Sequence, residues 1–160
     1  MTPRTILLSA AVMASVFPLQ PGSRAAAQVA DAPAIRAIAV RPFYPDTGVL
    51  GPDIDGGAGP VVNQTVAGHV VRDYLIVVTL SAAPDRDMSA SRLDLAVSES
   101  GRAKPWLRAR GIAAMGAASP AGEVHLPVLV TLRPCGTVRI DAALRGGGKL
   151  SREIDFVCQN

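Results

Sequence analysis

The chain has 160 residues, with 16 Lys or Arg against 13 Asp or Glu and 49% hydrophobic residues. That length suits one domain with its own hydrophobic core. A formal charge of +3 is too small an excess for a generic nucleic-acid binder.

The first segment reads as a secretory signal peptide over residues 1–27. Arg4 supplies the charged start, and Ile6 to Phe17 form an apolar run too short to span a bilayer. Pro18, Pro21 and Gly22 break the helix, and Ala25-Ala26-Ala27 offers small residues for cleavage before Gln28. Cleavage removes Arg4 and Arg24, leaving fourteen basic against thirteen acidic residues. No later apolar run is long enough for a spanning helix, so no transmembrane segment is expected once the signal is gone. Only Lys104 and Lys149 are lysines among the basic residues. The excess of Arg and Ala suggests a GC-rich bacterial source, hence a periplasmic or secreted protein.

A flexible tail is expected over 28–34, then a single domain over 35–160. Ile35 to Phe43 reads as a first strand, at a sheet edge because Pro42 cannot donate to a ladder. Residues 45–60 hold five glycines and three prolines and read as a loop. Its Asp53-Ile54-Asp55-Gly56-Gly57 resembles the start of a calcium loop, where a hard cation needs close carboxylate oxygens. Ala58 and Gln64 stand where an EF-hand needs glycine and glutamate, so only a looser cation site of Asp46, Asp53 and Asp55 is expected, as an alternative to an acidic loop.

Val61 to Val66 suggests a short strand. His69 to Ala82 reads as a buried central strand, with Val70, Tyr74, Ile76, Val78 and Leu80 on one face and Leu75 and Val77 apolar on the other. Leu93, Leu95 and Val97 alternate with polar residues in another strand. Residues 99–122 are rich in Gly and Ala, with one strand expected around Trp106 to Arg110. There Arg102, Lys104, Arg108 and Arg110 surround Trp106. Such a patch suits an anionic or acidic partner, because arginine makes forked contacts and tryptophan offers a platform. The same charges also serve a plain edge strand, which they keep from aggregating while Trp106 turns into the core. Val124, Leu126, Val128, Val130 and Leu132 mark a further strand.

The last two strands, Thr137 to Arg145 and Lys149 to Val157, flank Gly146-Gly147-Gly148 as a hairpin. Val138, Ile140, Ala142 and Leu144 share one face of the first arm, and Leu150, Ile154, Phe156 and Cys158 one face of the second. Opposed residues point to the same side of a sheet, so apolar must meet apolar. A three-glycine loop achieves this, pairing Val138 with Phe156, Ile140 with Ile154 and Leu144 with Leu150, and setting Arg139 opposite Asp155. A two-glycine loop would bring Cys135 directly opposite Cys158 but turn one arm inside out. The cysteines are expected to form a disulfide at the base of this hairpin, worth ~3 kcal/mol in the chain-entropy model. A redox pair is the weaker reading, since the spacing is not C-x-x-C.

About seven short strands with turn signals and no helical periodicity predict an all-β fold, a small antiparallel β-sandwich of immunoglobulin-like type. A small barrel is the alternative. His69 and His125 are the only histidines, and a metal site would need both to converge with a carboxylate such as Asp73. The sequence holds no G-x-S-x-G, P-loop, Rossmann fingerprint or H-E-x-x-H. The expectation is an exported, non-enzymatic binding or assembly protein without a cofactor. Its partner would be another envelope protein, not nucleic acid, met at a sheet edge carrying Pro42 or Trp106. The alternative is a small-ligand or calcium-binding module using the 45–60 loop. The layout of signal, small immunoglobulin-like sandwich and terminal cysteine is similar to that of periplasmic chaperones of curli-type amyloid assembly. That similarity covers architecture alone and transfers no residue.

Overall fold

The computed structural model describes residues 32–54, 61–62, 65–66 and 68–157. Residues 1–31, which include the segment expected to be a signal peptide, lie outside them, as do Asp55 and Cys158. The described chain is all β, without helix, and folds as two antiparallel sheets packed face to face. Seven long strands carry the sandwich: β1 (Ala34–Tyr44), β6 (Asp73–Ser81), β7 (Arg92–Glu99), β8 (Leu107–Ala113), β9 (Glu123–Thr131), β10 (Gly136–Leu144) and β11 (Lys149–Val157). Four two-residue strands sit at its margins: β2 (Val49–Leu50), β3 (Val61–Val62), β4 (Thr65–Val66) and β5 (His69–Val70).

One sheet runs β2-β1-β6-β9, and the other runs β3-β11-β10-β7-β8. Counting long strands in chain order, the first, second and fifth form one sheet and the rest the other. Such crossings between sheets give the immunoglobulin-like Greek key.

Alternation builds the core. Tyr74, Ile76, Val78 and Leu80 of β6 are fully buried, and they meet Leu93, Leu95 and Val97 of β7 and Val138, Ile140 and Ala142 of β10 in one cluster. Each valine, leucine or isoleucine among them contributes about 1.5–3 kcal/mol on burial. Tyr74 meets Phe156 of the opposite sheet edge-on, with ring centroids 5.9 Å apart. Burial pushes the Tyr74 phenol up to about 12. Val70 departs from the expected face: it is exposed, while Val71 is fully buried. The strand expected to run unbroken from His69 stops after Val70 and restarts at Asp73, and the break changes the phase of alternation.

The C-terminal hairpin keeps the expected inner and outer faces, but its pairing shifts by two residues. Val138 pairs with Ile154, Ile140 with Arg152 and Ala142 with Leu150, rather than Val138 with Phe156. The turn residues are Arg145, Gly146 and Gly147, closed by Leu144 N–H to Gly148 O at 3.0 Å, with Gly146 at φ +73°. The outer face explains the choice. The expected register would set Asp141 opposite Glu153, and like charges directly opposed destabilise a ladder. The observed one sets Asp141 opposite Ser151, whose hydroxyl donates to it at 2.6 Å, and Arg139 opposite Glu153. Thr137 comes opposite Asp155 and donates to it at 2.7 Å.

Candidate functional site

The outer edge of β1 is not the open edge that Pro42 suggested. Pro42 faces its carbonyl outward, but Gly51 N–H donates to it at 2.8 Å, and Ile54 N–H donates to Val40 O at 2.8 Å. Residues 49–54 thus line the edge. Gly51 is required there, since a β-carbon would fall 2.5 Å from the Tyr44 hydroxyl oxygen.

Arg152 completes the seal. It is the one charged residue on the inner side of β11, and its side chain is 19% exposed. It crosses from the second sheet to the first, donating to Ile38 O at 2.5 Å, to both carboxylate oxygens of Asp53 at 2.9 Å, and to Ile54 O. Asp53 also accepts the Val40 N–H at 2.6 Å. The guanidinium serves two carbonyls and one carboxylate at once, Nη1 reaching Ile38 O and Asp53 and Nη2 reaching Ile54 O, a use of several donors that suits arginine.

Asp53 and Asp46, the two carboxylates of the acidic loop among the described residues, have different partners. Asp53 is held by Arg152 and Val40, whereas Asp46 accepts from His69 Nδ1 at 2.7 Å. The His69 bond holds the Asp46 carboxyl below the usual carboxylate value. The Tyr44 ring lies against His69 at 4.6 Å. His125 belongs elsewhere, bonded to Thr79 Oγ1 at 3.1 Å and 3.8 Å from Glu123. Asp73 accepts from Thr131 at 2.6 Å. Among the described residues, no group of three or more His, Cys, Asp or Glu gathers as a metal site would require.

The basic patch is split in two. Arg102 stacks on the Trp106 ring, 3.8 Å from its centroid, and Trp106 packs half-buried against the core. Glu99 accepts from the indole N–H at 3.0 Å and from the Cys135 N–H, fixing Trp106 to the start of the last hairpin. Lys104 is exposed, and its carbonyl accepts from Arg102 at 3.1 Å. Arg108 and Arg110 lie further along β8, beside Asp94 and Asp141 in a shallow depression of about 190 Å³ on the outer face of the sheet. Neither makes an ion pair or a side-chain hydrogen bond among the described residues. No cysteine is free among those residues.

The remaining flank is open. Among the described residues β8 pairs only with β7, and β9 only with β6, so each ends its sheet. Between them lies a groove of about 440 Å³, lined by Ile112, Met115, Val124, Leu126, Pro127 and His125. Met115 is 87% exposed at its rim. Sequence reasoning placed no ligand here, because Met115 falls in a Gly/Ala-rich stretch without periodicity. An unburied methionine between turn residues was the available signal.

Main-chain geometry shows what each edge offers. Pro127 pairs with Val77, and with no N–H to give it must occupy a pair that exchanges no bonds. His125 and Leu129 therefore aim their N–H groups outward, with a gap at Pro127. On β7, Arg92 O accepts from Arg145 and Ser100 donates to Thr137, which turns the even-numbered residues towards β10. The odd ones serve β8, pairing Leu95 with Ala109 and Val97 with Leu107. Arg108 and Arg110 are left with both main-chain groups facing the open side. A bulge follows, where Gly111, at φ +67°, donates to the Asp94 carboxylate at 2.6 Å.

No helix among the described residues is long and apolar enough to cross a membrane. Comparison with protein-family models gives no match, and comparison with curated proteins gives none either, so the geometry of this flank has to stand alone as the guide to function.

Proposed function

We propose that this chain is an exported, non-enzymatic binding or assembly protein of a bacterial envelope, which holds a partner protein along the open flank between β8 and β9. The observation that carries this reading is the apolar groove between two edge strands, with Met115 at its rim. An apolar cleft flanked by unpaired main chain suits an extended partner segment. Export rests on the charged, apolar and small-residue sequence of 1–27, with the even count of two cysteines compatible with an oxidising compartment. Cys135 falls just beyond the last pair of the β10–β11 ladder, Gly136 with Phe156, while Cys158 lies outside the described residues, so the disulfide expected between them stays part of this proposal.

The test is a crosslinking pull-down from envelope fractions with the mature, oxidised protein, run beside Met115→Asp. A protein captured by the wild type and depleted about tenfold on the variant is the expected result. Equal capture by both, or no protein captured, would overturn the reading.

A further inference from the structure

The open flank also says what kind of segment fits it, given the proposed role of that flank in partner binding. We infer that it accepts an extended peptide in which acidic and apolar side chains alternate, added as a strand beside β8.

Arg108 and Arg110 present their N–H and C=O groups at the free edge of β8, so a segment laid there continues the ladder. Side chains of a strand point alternately to the two sides of the sheet. Those of the added strand on the outer side stand next to Arg108 and Arg110, which have no ion-pair partner among the described residues, while the two carboxylates of the same depression, Asp94 and Asp141, are already paired with Arg145 and Arg139. Cross-strand neighbours of opposite charge stabilise this arrangement, and like charges oppose it. Side chains on the other side point between the sheets, where Ile112, Leu126 and Met115 line the groove. No carboxylate lines that groove, so an apolar side chain is the complement there.

Self-association is the competing occupant, and the same residues disfavour it. Pairing β8 with its copy would bring Arg108 and Arg110 against their own equivalents. Pairing β9 with its copy would lose ladder bonds at Pro127 in each chain. The flank is thus guarded against a second copy while staying complementary to an acidic strand.

Two synthetic peptides test this on the full mature protein by fluorescence anisotropy. One alternates glutamate with valine, the other lysine with valine. The glutamate peptide is expected to bind at least about tenfold more tightly, with the preference weakening as salt rises. In the double variant Arg108→Glu, Arg110→Glu the preference should reverse, and circular dichroism should match the wild type because neither side chain holds the fold. Equal binding of the two peptides, an unchanged preference in the double variant, or no binding of either would each overturn the inference. The pull-down separates the two levels. A partner lost with Met115→Asp but kept by the double variant leaves the flank as the binding surface and removes the acidic chemistry. A partner indifferent to both variants removes both.

Discussion

The two flanks of this sandwich face the same problem and solve it differently. At the β1–β11 flank, every feature closes the gap. Residues 49–54 line the outer edge of β1, β3 covers the end of β11, and Arg152 reaches from one sheet to the other. At the β8–β9 flank the connection 114–122 joins the sheets at one end, and no side chain among the described residues clasps the two edge strands as Arg152 does. Edge protection there is local, by a missing N–H at Pro127 and a kink at Gly111. A sealed edge serves stability, whereas an open but guarded edge limits self-pairing and leaves an apolar cleft available. The contrast makes stability the property to test on one side and binding the property to test on the other.

The largest effect should come from removing the Arg152 clasp. Arg152→Met keeps much of the apolar stem but leaves Asp53 and the carbonyls of Ile38 and Ile54 without their donor. The Arg152 side chain is 19% exposed and that of Asp53 44%, so solvent screens the pair, and breaking it together with the two carbonyl bonds costs about 1–3 kcal/mol. Urea denaturation should show the loss as a lower midpoint with an unchanged slope. A midpoint equal to wild type would mean that the seal on this flank is made by residues 49–54 alone.

A smaller effect belongs to the pin at the end of that flank, the bond between Asp46 and His69. The folded carboxyl lies below its ordinary value of 3.8 because His69 hydrogen-bonds it. A depressed folded pKa means that the contribution is present above the unfolded value and is lost as pH falls through the folded one. Asp46→Asn should therefore lower the denaturation midpoint slightly at neutral pH and converge with wild type as acid protonates the carboxylate. The pair is exposed, so the neutral-pH gap should also shrink with salt. A gap that persists in acid would assign the effect to something other than this charge.

Much of this architecture was legible in the chain. The alternation at Leu93, Leu95 and Val97 and at Val124, Leu126 and Val130 reports burial directly, because a half-buried strand has to alternate. The hairpin was legible in its faces but not in its register. Apolar pairing forbids a one-residue slip, yet it is blind to a two-residue shift, and only the outer-face pairing of Asp141 with Ser151 rather than Glu153 decides between the two. Arg152 was legible in principle, as a charge between Leu150 and Ile154 on an otherwise apolar face. Its partners were not, since Ile38 and Asp53 lie about a hundred residues away in sequence. The basic cluster around Trp106 looked continuous because its residues are close in sequence. Three-dimensionally it divides, Arg102 on the indole and Arg108 and Arg110 on the open strand.

The smallest expected effect on stability is at Met115, and its smallness is the informative part. With the side chain 87% exposed, Met115→Asp removes little buried area and leaves no polar group buried without a partner. Its denaturation midpoint should stay within about 0.5 kcal/mol of wild type, as for ordinary surface positions. Combined with loss of the partner, that result would separate binding from folding on the open flank, the reverse of what Arg152→Met should show on the closed one. A marked drop in stability would instead mean that Met115 folds over the groove and completes the core, so that both flanks are sealed and the contrast between them disappears.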